Sequence, residues 1–262
     1  MKLLALIIAF GLYHWVEKPS FLQSFSWLEQ LYSFLKQKIE DAQITLFLSV
    51  VLPVIGLYVV AEKLFDFSTD SLAYLVTHVV VIYYCLGPHT IKGMVDNNAT
   101  KQALKLSDDA TAQEVIVGIT NAAMHRWFGV FFWYVVLNIY GAVLYRVVCF
   151  LAQSKQVGVL ASKTLKVIEF PVTIMMTVSL ALASDFDRIW RHCKQYLTTE
   201  TLWTLNSQFM YKSMDYAVEQ CEIETADENK AKIIEMTTLT VLTRMLVVWL
   251  VFVALLVLFS IG

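Results

Sequence analysis

Five polar side chains interrupt otherwise apolar runs, and they carry the most distinctive chemistry in the sequence. Hydrogen-bonding and ionisable groups are costly inside a bilayer, so each such residue needs a partner and is a candidate for function. The set comprises His78, Asn138, Tyr145, Arg146 and Glu169. Their presence indicates that the runs pack against one another as a bundle, because a bare anchor needs no polar groups.

His78 is the member of this set whose side chain titrates near neutral pH. One hypothesis is a functional site inside the bundle, where an intramembrane ionisable group serves binding or proton transfer. The alternative is structural: a neutral imidazole that is hydrogen-bonded to a tyrosine or to Asn138. The sequence leaves both open.

Arg146 and Glu169 suggest an ion pair. Arg146 is the single formal charge in residues 127–151, and Glu169 is the single acid in residues 164–184. An unpaired charge in a low-dielectric environment costs several kcal/mol, which favours pairing the two. The alternative is that the long Arg146 side chain extends to the lipid headgroups.

A second set of polar residues flanks the apolar runs and could form a pocket. Oxygen ligands suit hard cations and phosphate-bound Mg²⁺, and an imidazole and an amide could complete such a site. The candidates are Asp96, Asn97, Asn121, His125, Asp185 and Asp187. The alternative is that they cap helices, lie in solvated loops or mark the membrane interface. No metal ligand or cofactor is assigned from the sequence.

Other chemistry has no sequence support. The chain lacks the phosphate-binding pattern GxxxxGK[ST], the dinucleotide-binding pattern GxGxxG, and the GxSxG and HExxH patterns of hydrolases. A net charge of −2 without a basic run gives no footprint for nucleic acid. The four cysteines contain no CxxC spacing, which favours reduced packing residues.

Composition places the chain among helical membrane proteins. Hydrophobic residues make up 58% of the sequence and charged residues 16%, and the mean hydropathy is +0.60. We expect an all-α, polytopic fold of about five to six membrane helices in one membrane domain, residues 1–262. The apolar segments are 1–16, 43–61, 71–87, 127–151, 164–184 and 239–261. Residues 127–151 are predicted to cross as one rod. Residues 164–184 are interrupted by Glu169 and Pro171 and could span, re-enter or lie within the bundle, with a broken span as the favoured interpretation.

The remaining segments are less apolar. Residues 20–40 have apolar positions at steps of three and four, which predicts an amphipathic helix on the membrane surface, on a partner, or against this chain itself. Residues 88–126 and 185–235 are polar and helix-prone, and capping boxes are predicted at Thr111–Glu114 and Thr225–Glu228. The distribution of Lys and Arg predicts that residues 17–41, 88–126 and 185–235 lie on the cytoplasmic side and that both termini lie on the opposite side.

Two motifs resemble a known family. The pattern FFWY (131–134) followed by GAVLYR (141–146), with VIEFPV at 167–172, is similar to the core of the AmpE family, which is related to the CobD/CbiB membrane proteins of cobalamin biosynthesis. The resemblance implies a regulatory inner-membrane protein linked to β-lactamase induction, antibiotic resistance and the state of the cell envelope. A small molecule or a protein would be its signalling partner, alongside the lipid bilayer.

Two other functions stay open from the sequence. The first is a membrane-embedded ligase or transferase, like the amide-forming cobalamin synthases, using the candidate polar pocket. The second is a structural subunit that binds a partner protein through residues 20–40. An enzyme requires that polar groups from several segments converge on one cavity.

Overall fold

The computed structural model confirms the all-α, multi-pass architecture. It describes residues 2–15, 25–64, 72–87, 90–96, 99–154, 157–221 and 230–260, and within these ranges it contains helices and no strand. Five segments are long and apolar enough to cross a membrane: Ala42–Ala61, Leu72–Asp96, Ala112–Gln153, Gly158–Ala183 and Ala231–Leu256. A shorter apolar helix covers Lys2–Tyr13.

Thirteen α-helices and one π-helical segment, Met124–Phe128, cover the described residues. The helices are α1 (Lys2–Trp15), α2 (Ser26–Lys38), α3 (Ala42–Leu64), α4 (Leu72–Leu86), α5 (Ile91–Asp96), α6 (Thr100–Ala103), α7 (Ala112–Ala123), α8 (Gly129–Gln153), α9 (Gly158–Ala183), α10 (Phe186–Tyr196), α11 (Thr199–Trp203), α12 (Gln208–Cys221) and α13 (Lys230–Ser260). They form two compact units. Unit 1 contains Met1–Pro88 and His125–Ile168, and unit 2 contains His89–Met124 and Glu169–Gly262. That the chain acts as one membrane domain stays a prediction.

Unit 1 is built around α8, which α3 and α4 contact, while α1 packs on α4. Phe10 of α1 contacts the aromatic rings of Trp127 and Phe131, with ring centroids 5.7 Å and 5.8 Å away. Helix α2 buries Leu28 and Tyr32 in a core that also contains Leu46, Val147, Leu151, Val157 and Ala161. Of the three environments predicted for residues 20–40, the structure shows packing against the chain itself.

Helix α8 reverses direction in its middle. Its backbone leaves the helical region at Leu137 (φ −118°, ψ 15°) and Asn138 (φ 62°, ψ −155°). A Cβ atom added to Gly129 would lie 2.1 Å from Cζ of Tyr145, whereas a straight helix would separate these positions by about 24 Å. A Cβ on Gly141 would lie equally close, 2.1 Å, to the carbonyl oxygen of Trp133. Residues 129–136 and 139–153 are therefore the two arms of a helical hairpin, with its tip at Leu137 and Asn138.

The expectation of a straight rod over residues 127–151 is therefore wrong. Length and hydrophobicity predict a membrane helix but carry no information about its direction after a break. Two features permit the reversal: Asn tolerates positive φ better than most side chains, and glycines at 129 and 141 let the arms approach closely. The side chains of His125 and Cys149, which flank the tip at similar sequence distances, come within 4.8 Å.

Helix α9 corrects a second expectation. The segment predicted to be broken near Pro171 is a continuous helix of 26 residues, Gly158–Ala183, with the proline inside it. Packed membrane helices tolerate proline because neighbouring groups compensate for the lost backbone hydrogen bond. The boundary between the two units falls within α9, after Ile168.

Unit 2 contains α7, α12 and α13 in mutual contact, with α10 on α12. The capping box of α7 is confirmed, because the Thr111 hydroxyl accepts from the Glu114 amide and the Glu114 carboxylate accepts from the Thr111 amide. The capping box predicted at Thr225 and Glu228 lies outside the described residues. The indole of Trp249 donates to the Ser179 hydroxyl at 3.0 Å, which connects α13 to α9.

Candidate functional site

The tip of the hairpin holds a residue in a rare backbone conformation. Asn138 lies at φ 62° and ψ −155°, a region occupied almost entirely by glycine, which costs about 1–3 kcal/mol for other residues. Val136 and Leu137 beside it are 55% and 46% exposed. An exposed apolar surface of this kind is expected to face lipid, so the strain is stored within the membrane.

Two aromatic side chains and a histidine surround the tip, and with Asn138 they form the tip cluster: Tyr74, His78, Tyr134 and Asn138. Nδ1 of His78 lies 2.8 Å from the Tyr134 hydroxyl, and the amide nitrogen of Asn138 donates to the Tyr74 hydroxyl at 3.4 Å. The rings of Tyr74 and His78 have their centroids 3.9 Å apart. Helix α4 supplies Tyr74 and His78, so this cluster connects α4 to the first arm and to the tip of the hairpin.

Two atoms of the tip cluster have unused hydrogen-bonding capacity. Within the part of the chain that the structure describes, Nε2 of His78 and Oδ1 of Asn138 are buried and lack a hydrogen-bond partner. The His78 side chain is 1% exposed and Tyr134 is fully buried. The histidine at 78 is therefore hydrogen-bonded to a tyrosine, as the structural hypothesis expects. Its second ring nitrogen, Nε2, is left without a partner among the residues that the structure describes, which is uncommon for a buried side chain.

A second polar group lies towards the open end of the hairpin, and we call it the arginine cluster: Tyr13, Arg126 and Arg146. The Tyr13 hydroxyl and the Arg126 side chain are hydrogen-bonded, and Arg146 is close enough to interact electrostatically with both. The guanidinium carbon of Arg146 lies 5.7 Å from the centroid of the Phe25 ring. A guanidinium over an aromatic face gains cation–π attraction, which fixes its orientation.

Glycine makes room for the arginine cluster. Gly87 follows α4 with φ 87°, and a Cβ there would approach Nη2 of Arg146 to 2.8 Å. At Gly129 the space is taken by Tyr145, which is fully buried. Arg146 and Tyr145, both predicted as intramembrane polar residues, therefore pack within unit 1.

The residues predicted to form a polar pocket have identifiable structural roles in two cases. Asp185 caps α10, since its carboxylate accepts from the Arg188 amide at 3.2 Å and pairs with Nε of Arg188 at 3.1 Å. The side-chain oxygen of Asn121 accepts from the Tyr211 hydroxyl at 3.0 Å. Asp185 therefore has the helix-cap role that was the alternative to a pocket, and Asn121 is hydrogen-bonded within unit 2.

The other pocket candidates are distributed between the units. Asp96 and Asp187 are exposed residues of unit 2, and His125 belongs to unit 1. Asn97 lies outside the described residues. The convergence of these groups on one site stays a prediction.

Glu169 is buried in unit 2, at 8% exposure, and Arg146 belongs to unit 1, so their ion pair also stays a prediction. The carboxylate acts on Tyr211 within unit 2: burial raises the pKa of the Tyr211 phenol, and the negative charge of Glu169 raises it further. Tyr211 is therefore a neutral hydroxyl that donates to Asn121.

The described part of unit 2 also contains a surface groove of about 320 Å³ on α13. Its lining residues are mainly apolar or threonine: Ile233, Met236, Thr237, Thr240, Val241 and Arg244. It brings together no acid, histidine or cysteine, so it lacks the acid–base groups of a catalytic site.

Sequence reasoning did not identify Tyr134 or Tyr13 as site residues. A tyrosine hydroxyl within an apolar run needs a hydrogen-bond partner, as the histidine at 78 does. This requirement is the sequence feature that could have identified both tyrosines. Pairing Tyr134 with His78 requires knowledge of which helices touch, which one sequence does not contain.

Comparisons of the chain with protein-family models, with curated proteins and with solved structures found no match.

Proposed function

We propose that this multi-pass membrane protein is a regulatory signalling protein of AmpE type in the bacterial inner membrane, linked to β-lactamase induction and envelope state. The observation that carries the proposal is the strained hairpin tip. A regulator needs an element with two arrangements whose populations a stimulus can shift. A helix break that stores about 1–3 kcal/mol at Asn138, held by hydrogen bonds to α4, has the properties of such an element.

The proposal favours regulation over catalysis for a physical reason. Asp185 and Asn121, two of the groups that a ligase would need, are engaged in a helix cap and a tyrosine hydrogen bond. The hairpin, in contrast, combines backbone strain with unused hydrogen-bonding capacity in His78 and Asn138. The motifs FFWY and GAVLYR, which carry the family resemblance, lie on its two arms.

The test is complementation in a host that lacks its own AmpE-type protein and carries an inducible β-lactamase. Asn138→Gly relieves strain of about 1–3 kcal/mol but loses the hydrogen bond to Tyr74, worth about 1 kcal/mol, so it should favour the observed hairpin by about 1 kcal/mol, a factor of about five in the ratio of the two arrangements. We expect the induction ratio on β-lactam challenge to change about fivefold relative to wild type.

Lys105→Gly is the matched control, because Lys105 also has positive φ, at 56°, but belongs to unit 2, whereas the hairpin belongs to unit 1. It should leave induction unchanged. Failure of the wild-type chain to restore induction, or equal behaviour of the two glycine variants, would contradict the proposal.

A further inference from the structure

Three segments at the arginine cluster contain positive charge and no negative charge, while α2, whose N-cap residue Phe25 contacts Arg146, carries Glu29 at an exposed position. Residues 2–15, 72–87 and 125–154 include Lys2, Arg126 and Arg146 but no Asp or Glu. Two guanidinium groups that share a poorly solvated environment repel each other, and an anion between them relieves the repulsion. The charge balance of these three segments therefore favours an anionic ligand.

The fold of the hairpin brings the two arginines together. They are 20 residues apart in the chain and would be about 30 Å apart along a straight helix. Because the arms fold back, Arg126 and Arg146 interact electrostatically with each other and with Tyr13. Tyr13 contributes a hydroxyl to the same cluster, so donors come from α1 and from both sides of the hairpin.

Arg146 retains a donor for a ligand. In the described part of the chain its Nε is buried and lacks a hydrogen-bond partner, while Phe25 and Gly87 lie against the rest of the guanidinium. The planar fork of arginine matches the oxygens of a phosphate, to which it binds through two parallel hydrogen bonds.

The depth of the cluster indicates where such an anion would come from. Arg146 lies eight residues and Arg126 twelve residues from Asn138, or about 12 Å and 18 Å along the arms. Half of the hydrocarbon core is about 15 Å thick, so a hairpin whose tip reached the middle of the bilayer would hold the cluster near the edge of the hydrocarbon core, where a headgroup phosphate can approach it.

We propose that the arginine cluster is a binding site for a phosphate group, held by Arg126, Arg146 and the Tyr13 hydroxyl. A lipid headgroup is the source that the depth favours, and free phosphate shares its chemistry. This site is separate from the tip cluster, and its occupancy does not depend on the regulatory function proposed above.

The experiment measures ligand binding by the full chain, purified in a neutral detergent. The probes are dioctanoyl phosphatidic acid, dioctanoyl glycerol as the uncharged lipid, and inorganic phosphate, and the readouts are native mass spectrometry and the quenching of tryptophan fluorescence. We expect phosphatidic acid to bind and the uncharged lipid not to bind. Binding of inorganic phosphate at similar affinity would support the site with a soluble anion as its occupant.

The variants Arg126→Gln and Arg146→Gln should each weaken phosphatidic acid binding at least tenfold, and the exposed Arg191→Gln of unit 2 should leave it unchanged. If a glutamine variant loses helicity by circular dichroism, Arg146→Lys replaces it, since lysine keeps the charge but not the planar fork, and a smaller loss is expected. Absence of binding to wild type, or equal binding by all arginine variants, would overturn the proposal.

Discussion

The hydrogen bond between His78 and Tyr134 turns two polar side chains into a connection between α4 and the first arm of the hairpin. Neither group can be hydrated in its buried position, so each satisfies part of the other's hydrogen-bonding capacity. The residual capacity at Nε2 of His78 distinguishes this histidine from a fully satisfied core residue.

The two substitutions that break this hydrogen bond should not have additive effects on the free energy of unfolding, because either one alone leaves a buried polar group without a partner. Tyr134→Phe leaves Nδ1 of His78 unpaired, with an expected loss of about 1–3 kcal/mol in the free energy of unfolding. The double variant His78→Phe/Tyr134→Phe should be less destabilised than the sum of the single variants by about 0.5–3 kcal/mol. Denaturant titration in detergent measures these values.

Tyr196→Phe, at an exposed position of α10, is the control and should change the stability by less than about 0.5 kcal/mol. Additive effects of the two substitutions at positions 78 and 134 would show that their hydrogen bond contributes nothing to stability.

Gly129 is the residue on which the packing of the two arms depends most. An alanine there would place its methyl group 2.1 Å from the Tyr145 ring, so we expect Gly129→Ala to destabilise the protein by about 1–3 kcal/mol through overpacking. In a Tyr145→Ala background the same substitution at Gly129 should cost less, because the clashing ring is absent.

Gly11→Ala is the matched helical control. Its Cβ would meet nothing within 4 Å, and alanine is favoured over glycine in a helix by about 0.5–1 kcal/mol. Thermal unfolding in detergent should rank Gly11→Ala above wild type and Gly129→Ala below it. A neutral Gly129→Ala would argue against the close approach of the arms.

Helix α10 packs against α12, and this contact stabilises it. Its Cys193 is 1% exposed, and burial raises the pKa of the thiol while a hydrogen bond with Ser213 opposes that shift. A folded-state pKa above the unfolded value means that the folded state holds its proton more tightly. The contribution to stability is therefore complete below the ordinary thiol pKa and is lost as the pH rises above it.

Maleimide labelling followed by peptide mass spectrometry tests the environment of Cys193. We expect slow labelling of Cys193 throughout about pH 7 to pH 9, because the thiol is buried and its raised pKa lowers the fraction of reactive thiolate at each pH. A cysteine at the exposed neighbour, introduced as Lys194→Cys, should label rapidly and faster with rising pH. Equal labelling of the two thiols would contradict the buried position of Cys193.

Sequence patterns predict the helices well where the signal is local. The apolar segments 43–61 and 71–87 correspond to α3 and α4, and the capping box at Thr111 starts α7 at the expected residue. These features depend on periodicity and on hydrogen bonds between near neighbours. Tertiary packing decides the rest: residues 20–40 have one amphipathic pattern for three environments, and only the structure shows that Leu28 and Tyr32 pack against the chain itself. The membrane-surface and partner environments stay predictions.

The same distinction applies to the candidate functional residues: the sequence identifies some of them, and only the structure identifies their partners. The cost of polar groups in lipid identified His78, Asn138 and Arg146 from sequence. Their partners Tyr134, Tyr74 and Phe25 come from different helices or from the opposite side of the tip. The reversal at Asn138 decides which of them meet, and a positive φ at that residue is enforced by the surrounding structure rather than by its own sequence.

At the level of the whole chain, the hairpin changes how the membrane is crossed. A rod over residues 127–151 would carry the chain to the opposite face, whereas a hairpin brings Gln153 back to the side of its tip on which Arg126 lies. An orientation based on counts of Lys and Arg in the loops must therefore treat residues 127–151 as returning to the same face.

The distance between the two arms is the most direct test of the hairpin. Spin labels at Phe132 and Ala152 would be about 30 Å apart on a straight helix, and we expect less than about 20 Å because the arms fold back. Labels at Met236 and Leu256, also 20 residues apart on the continuous helix α13, provide the reference and should give about 30 Å. Pulsed electron paramagnetic resonance on protein in lipid nanodiscs measures both pairs. Equal distances near 30 Å for the two pairs would contradict the hairpin, and with it both polar clusters.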